Sequence, residues 1–125
     1  MNTYKKILVS FVLAAASTST FAVVNPTYAE VRAAIDNTLA KVEEAKVAMD
    51  SGAPKESLVD MITEARQLQK DIANNVLDVK RNQASGVLKQ VRVAIEKDDM
   101  QAAKESLNNA LNRYKEIKQL YADNH

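Results

Sequence analysis

The sequence predicts an all-α protein, an up-down-up-down antiparallel four-helix bundle. Three observations predict it: apolar residues recur at alternating steps of three and four, polar breaks interrupt that rhythm three times, and no stretch reads as a strand. β-branched runs are short, and the dense pair Val23-Val24 lies beside an expected cleavage site.

In the first helix Val31, Ile35, Thr38, Val42, Ala45 and Met49 fall on one stripe. Asn25-Pro26 precedes it, and Thr27 followed three residues later by Glu30 fits a capping box. Ser51-Gly52-Ala53-Pro54 supplies the stop, because glycine accepts the left-handed turn and proline suits the start of the next helix.

The second stripe is Leu58, Met61, Ala65, Leu68 and Ile72. Two breaks are open after it. Asn74-Asn75, with Asn75 capping a third helix through Leu77, Ala84, Val87, Val91 and Ala94, gives four helices of nearly equal length, as antiparallel neighbours need. Gly86 is the other, and would leave a long second helix and a short third. Asp98-Asp99 then caps the last helix, where Met100, Ala103, Leu107, Ala110, Tyr114, Ile117 and Tyr121 keep the heptad rhythm that favours shallow crossings. Leu107, Tyr114 and Ile117 are expected in the core, with a hydrogen-bond partner for the Tyr114 hydroxyl.

The two halves echo one another. Lys55-Glu56-Ser57-Leu58 returns as Lys104-Glu105-Ser106-Leu107, each early in the second arm of a helical hairpin, with the second turn about three residues longer by this alignment. Duplication and shared helix-forming composition both produce such an echo, and both give the same bundle.

Ahead of the bundle, residues 1–22 read as a secretory signal peptide: Lys5 and Lys6, an apolar run from Ile7 to Ala16, and small residues closing at Ala22. A membrane anchor needs roughly 18 or more apolar residues, more than this run supplies. Cleavage after Ala22 leaves residues 23–125 as the bundle domain in the periplasm; a site after Ala29 is the alternative, and would remove the helix start.

The whole chain carries 17 basic and 16 acidic residues, and losing Lys5 and Lys6 leaves 15 against 16, interspersed throughout. Such a balance argues against electrostatic nucleic-acid binding. There is no cysteine, so packing alone holds the fold, and thiol catalysis and disulfide exchange are excluded. The sole histidine, His125, is the last residue, so neither a Ser-His-Asp nor a Cys-His constellation assembles from ordinary positions. Glu43, Glu44, Asp60, Glu64, Asp71, Asp98, Asp99 and Glu105 sit off the apolar stripes and read as a solvated face. No Glu-x-x-His pair is present for a di-iron centre, and Gly52 and Gly86 are too far apart for a phosphate-cradling loop. His125 follows Ala122-Asp123-Asn124 with nothing apolar to dock it, and is expected to be mobile and dispensable.

The last helix, AAKESLNNALNRYKEIKQLY, is similar to that of the periplasmic b-type cytochromes with four-helix bundles. That resemblance implies a haem held by a first-helix methionine and a last-helix histidine, yet Tyr114, Ile117 and Tyr121 stand at the inward positions here. LAKVEEAKVAMDSGAPKESLVDMITEARQL and VLKQVRVAIEKDDMQAAKESLNNALNRYKEI resemble the paired hairpins of the small metal-binding protein family, exported four-helix bundles. The resemblance implies the fold; the family's histidines, on which metal binding depends, are replaced here by lysine, glutamine, asparagine and glutamate.

No catalytic, cofactor-binding or metal-ligating residue is therefore assigned, and no cofactor is expected. Leu39, Ile62, Leu88, Ile95 and Leu111 flank the stripes and either widen the core or form an exposed strip for a partner. The expectation is a non-enzymatic periplasmic binding or interaction protein, a monomer or weak homo-oligomer without a membrane span after cleavage, its partner an unknown protein or small ligand. The alternative is a degenerate small metal-binding protein with residual divalent-metal affinity.

Overall fold

A computed structural model describes residues 28–123; the leader, Thr27 of the capping box, and His125 lie outside the described residues. Gly52 at φ 77° and Asp98 at φ 60° are the two residues described there in the left-handed region. Each closes a helix in the same way. After α1 (Tyr28–Asp50), the Gly52 N–H donates to the Met49 carbonyl at 3.1 Å and the Ala53 N–H to that of Ala48 at 2.9 Å. After α3 (Asp78–Glu96), the Asp98 N–H donates to Ile95 at 3.0 Å and the Asp99 N–H to Ala94 at 2.9 Å. This is the Schellman arrangement, which satisfies the carbonyls that a helix end leaves orphaned.

The second arms start differently. Pro54, at φ −59°, precedes α2 (Lys55–Gln69), and its carbonyl accepts the first helical bond from Leu58 at 3.1 Å. The Asp99 carboxylate caps α4 (Met100–Asp123) by accepting from the Ala102 N–H at 3.2 Å, as the sequence predicts. The turns span residues 51–54 and 97–99, so the second is the shorter, against expectation. The repeated Lys-Glu-Ser-Leu opens α2 but lies a full turn inside α4, because the echo follows the core leucines Leu58 and Leu107, each 1% exposed, rather than the helix starts.

Helix α1 packs on α2 and α4, and α3 packs on the same two, while the backbones of the diagonal pairs stand farther apart. Consecutive helices joined by short turns therefore run antiparallel around one core, an up-down-up-down four-helix bundle. The helices are 23, 15, 19 and 24 residues long rather than nearly equal. Helix α2 stops early because its backbone tightens: the Lys70, Asp71 and Ile72 N–H groups donate three residues back, at 3.1–3.3 Å. The chain then crosses over residues 70–77 with Ile72 and Leu77 both buried in the core. The break falls at the asparagine pair and not at Gly86, which lies inside α3. Asn75 is not the cap, however. The Asn74 side chain accepts from the Val76 N–H at 2.9 Å, and α3 begins after Leu77 without a side-chain cap.

The predicted stripes of α1 and α4 are buried throughout, except that Met100 is half-buried. In α2, Ile62 and Gln69 are buried where Met61 and Leu68 were expected; those two are half-buried, as is Ala94 in α3. Both alternations share Leu58 and Ala65, so a small rotation of the helix toward its two neighbours decides between them. Leu39, Ile62, Leu88, Ile95 and Leu111 all belong to the core, so they form no exposed strip. No described helix is long and apolar enough to cross a membrane.

Candidate ligand-binding clefts

The carboxylates set aside as a solvated face lie on the surface, and among the described residues no three His, Cys, Asp or Glu side chains gather closely enough to hold a metal ion. Glu44 and Glu64 instead converge on one cation, the Lys41 ammonium, at 3.1 and 3.2 Å. Burial is the largest single influence on Lys41 and pulls its pKa down. The hydrogen bonds and charges of Glu44 and Glu64 together outweigh it and hold the pKa above the ordinary lysine value.

The two short turns meet at one end of the bundle and enclose an open cleft of about 420 Å³ with Met49, Leu58 and Met100 in its walls. Its rim is bound crosswise. Lys55, at the start of α2, reaches the Asp98 carboxylate of the other turn at 3.0 Å, and Lys104 of α4 approaches Asp50 of the first at 4.0 Å. These are the two lysines of the repeated tetrapeptide, so the sequence echo carried a signal for this clasp that periodicity alone did not. Each cation already has its anion, which makes the cleft electrostatically self-contained.

A second groove, of about 400 Å³, runs along the outer seam between α3 and α4. Val93, Ala94 and Ala102 form an apolar floor, while Lys89, Gln90, Lys97, Asp99 and Ser106 supply the polar rim. Small side chains on facing helices leave this seam shallowly open, since a helix surface is filled only as far as its side chains reach. Asp99 accepts the α4 capping bond, and among the described residues no carboxylate lies within ion-pairing distance of Lys89 or Lys97.

Deeper in, the core carries a polar layer. Counted at about 1.5 Å per residue from the two turns, Thr38, Gln69, Arg81 and Tyr114 all lie roughly 18 to 23 Å down the bundle. The buried Thr38 hydroxyl donates to the Ala34 carbonyl at 2.7 Å, and Arg81 donates to that of Ile72 at 3.2 Å. The Tyr114 hydroxyl and the Gln69 side-chain carbonyl are buried without a hydrogen-bond partner among the described residues, contrary to the expectation for Tyr114. Tyr114 is fully enclosed, and its ring fills the centre of the bundle without its hydroxyl reaching a neighbour. Burial drives the Tyr114 pKa far above the usual tyrosine value, against the pull of the nearby Arg66 and Arg81 charges.

Fold and surface together define an all-α four-helix bundle with two open clefts on a continuous apolar core. A scan of protein-family models, a search of curated proteins and a search of solved structures return no match to this chain.

Proposed function

We propose that the chain is a non-enzymatic protein exported to the periplasm, a helical bundle that binds a small ligand or a protein partner and acts as a monomer or weak homo-oligomer. The observation that carries the binding reading is the α3–α4 groove, whose apolar floor and whose lysines, without an ion pair among the described residues, lie on two helices packed on the core beneath. It is an open groove of about 400 Å³, with room for a ligand that stays partly exposed to solvent. Export rests on the leader pattern of residues 1–22.

The test is to express the full chain untagged in a Gram-negative host and take the intact and native masses of the periplasmic protein. We expect a chain lacking residues 1–22 and an added mass from a bound molecule. Retention of the full-length chain in the cytoplasm overturns export, and a ligand-free native mass from every growth condition overturns binding. Stoichiometric copper, zinc or nickel in the same sample would favour the metal-binding alternative.

A further inference from the structure

We infer that the α3–α4 groove binds a single-chain carboxylate with a short apolar tail, an amphiphile of the fatty-acid type; this inference rests on the binding reading above. Charge and polarity are distributed unevenly along the groove. Lys89 stands eight residues before Lys97, about 12 Å along the helix axis, and Ser106 lies about 9 Å into α4 from its start at Met100. Because the helices run antiparallel, Lys89, Gln90 and Ser106 share one level of the seam. An ammonium, a side-chain amide and a hydroxyl therefore gather at one end, three donors of the kind that hold a carboxylate.

From that level toward the turn, the floor is Val93, Ala94 and Ala102, with nothing polar until Lys97 and Asp99 close the far end. One oxygen of the Asp99 carboxylate accepts the capping bond from the Ala102 N–H, and its negative charge stands at this far end of the groove, away from Lys89. An anion with a short apolar tail fits this arrangement: the head meets the Lys89 ammonium, and the tail covers the half-buried Val93, Ala94 and Ala102, short of Lys97 and Asp99. A neutral amphiphile would gain no charge-assisted bond from Lys89. A cation would meet the ammonium groups of Lys89 and Lys97 against the single carboxylate of Asp99.

The lysines of the turn-end cleft supply the contrast. Lys55 and Lys104 are directed at Asp98 and Asp50, and an incoming anion there would compete with carboxylates already in place. Among the described residues, Lys89 and Lys97 have no such competitor within ion-pairing distance.

Calorimetric titration of the mature protein with octanoate and with octan-1-ol tests the assignment, alongside Lys89→Gln, Ala102→Trp and, as a control off the groove, Lys115→Gln. We expect one octanoate per chain, weaker binding of octan-1-ol, a loss of about tenfold or more in Lys89→Gln, and no binding in Ala102→Trp. Lys115→Gln should match the parent. Circular dichroism verifies that each variant is folded, and Lys89, being exposed, can be changed without touching the core.

Equal binding of octanoate and octan-1-ol, or an equal loss in Lys115→Gln, overturns the inference. So does a protein that ignores octanoate but sediments with phosphatidylglycerol vesicles in a Lys89-dependent way, which would make the groove a membrane-binding surface. Failure to bind octanoate sinks this ligand class alone, because the broader binding reading is judged separately by the native mass.

Discussion

Lys55 reaches Asp98 at 3.0 Å, joining the first residue of α2 to the left-handed residue that ends α3. The contact spans the two turns and so couples one hairpin to the other at the end of the bundle. Both side chains are largely exposed, at 46% and 78%, and an exposed pair of this kind contributes about 0 to 1 kcal/mol. A double-mutant cycle of Lys55→Met and Asp98→Asn should therefore return a coupling below about 1 kcal/mol that shrinks as salt is raised. A coupling well above that, insensitive to salt, would mean the pair is desolvated in solution.

The two glycines should respond in opposite directions, because Gly52 is left-handed at a turn and Gly86 is helical. A Cβ on Gly52 would meet no atom within 4 Å, so Gly52→Ala is penalised by backbone conformation alone, by about 1 to 2 kcal/mol. Gly86 lies inside α3 with equally open space around it, and Gly86→Ala should stabilise by about 0.5 to 1 kcal/mol. Chemical denaturation of the two variants decides this. A stabilised Gly52→Ala would contradict the turn geometry.

The core makes a larger claim. Leu107 is 1% exposed between Ala103, Ala110 and Leu111 on α4, and Leu107→Ala should cost about 2 to 5 kcal/mol in urea unfolding. A loss below about 0.5 kcal/mol is the size seen at surface positions and would break the heptad register of α4.

Tyr114 predicts a pH dependence. Its pKa is raised in the folded protein, so above pH about 10 the unfolded chain gives up the phenolic proton first, binds fewer protons than the native state, and stability falls as pH rises. Lys41 acts in the same direction: its raised pKa gives stability that is present below about pH 10.5 and lost as pH rises through the folded value. Tyr114→Phe removes the first contribution, and its alkaline loss of stability should be shallower than the parent's. At neutral pH the variant should equal the parent or exceed it by up to about 1 kcal/mol, since an unpaired buried hydroxyl is removed. A neutral-pH loss above about 1.5 kcal/mol would show that the hydroxyl is hydrogen-bonded in solution.

By itself the sequence determined the all-α class, the stripes of α1 and α4, and the first and last turns, because these depend on local physics. Spacing of three and four puts Val31 through Met49 on one face whatever lies opposite. Gly52 and Asp99 act within a few residues of themselves, as left-handed turn and as cap. Local pattern could not rank Met61 against Ile62 or Leu68 against Gln69, because each is the apolar or flanking neighbour of the other. Only the two helices packed on α2 decided which was enclosed. The early end of α2 likewise depended on Ile72 and Leu77 both finding room in the core, and the unpaired Tyr114 hydroxyl on what lies across the bundle from it. The clasp of Lys55 on Asp98 and the seam lined by Lys89 and Ser106 join residues from different helices, and no periodicity along one helix reports what stands opposite it.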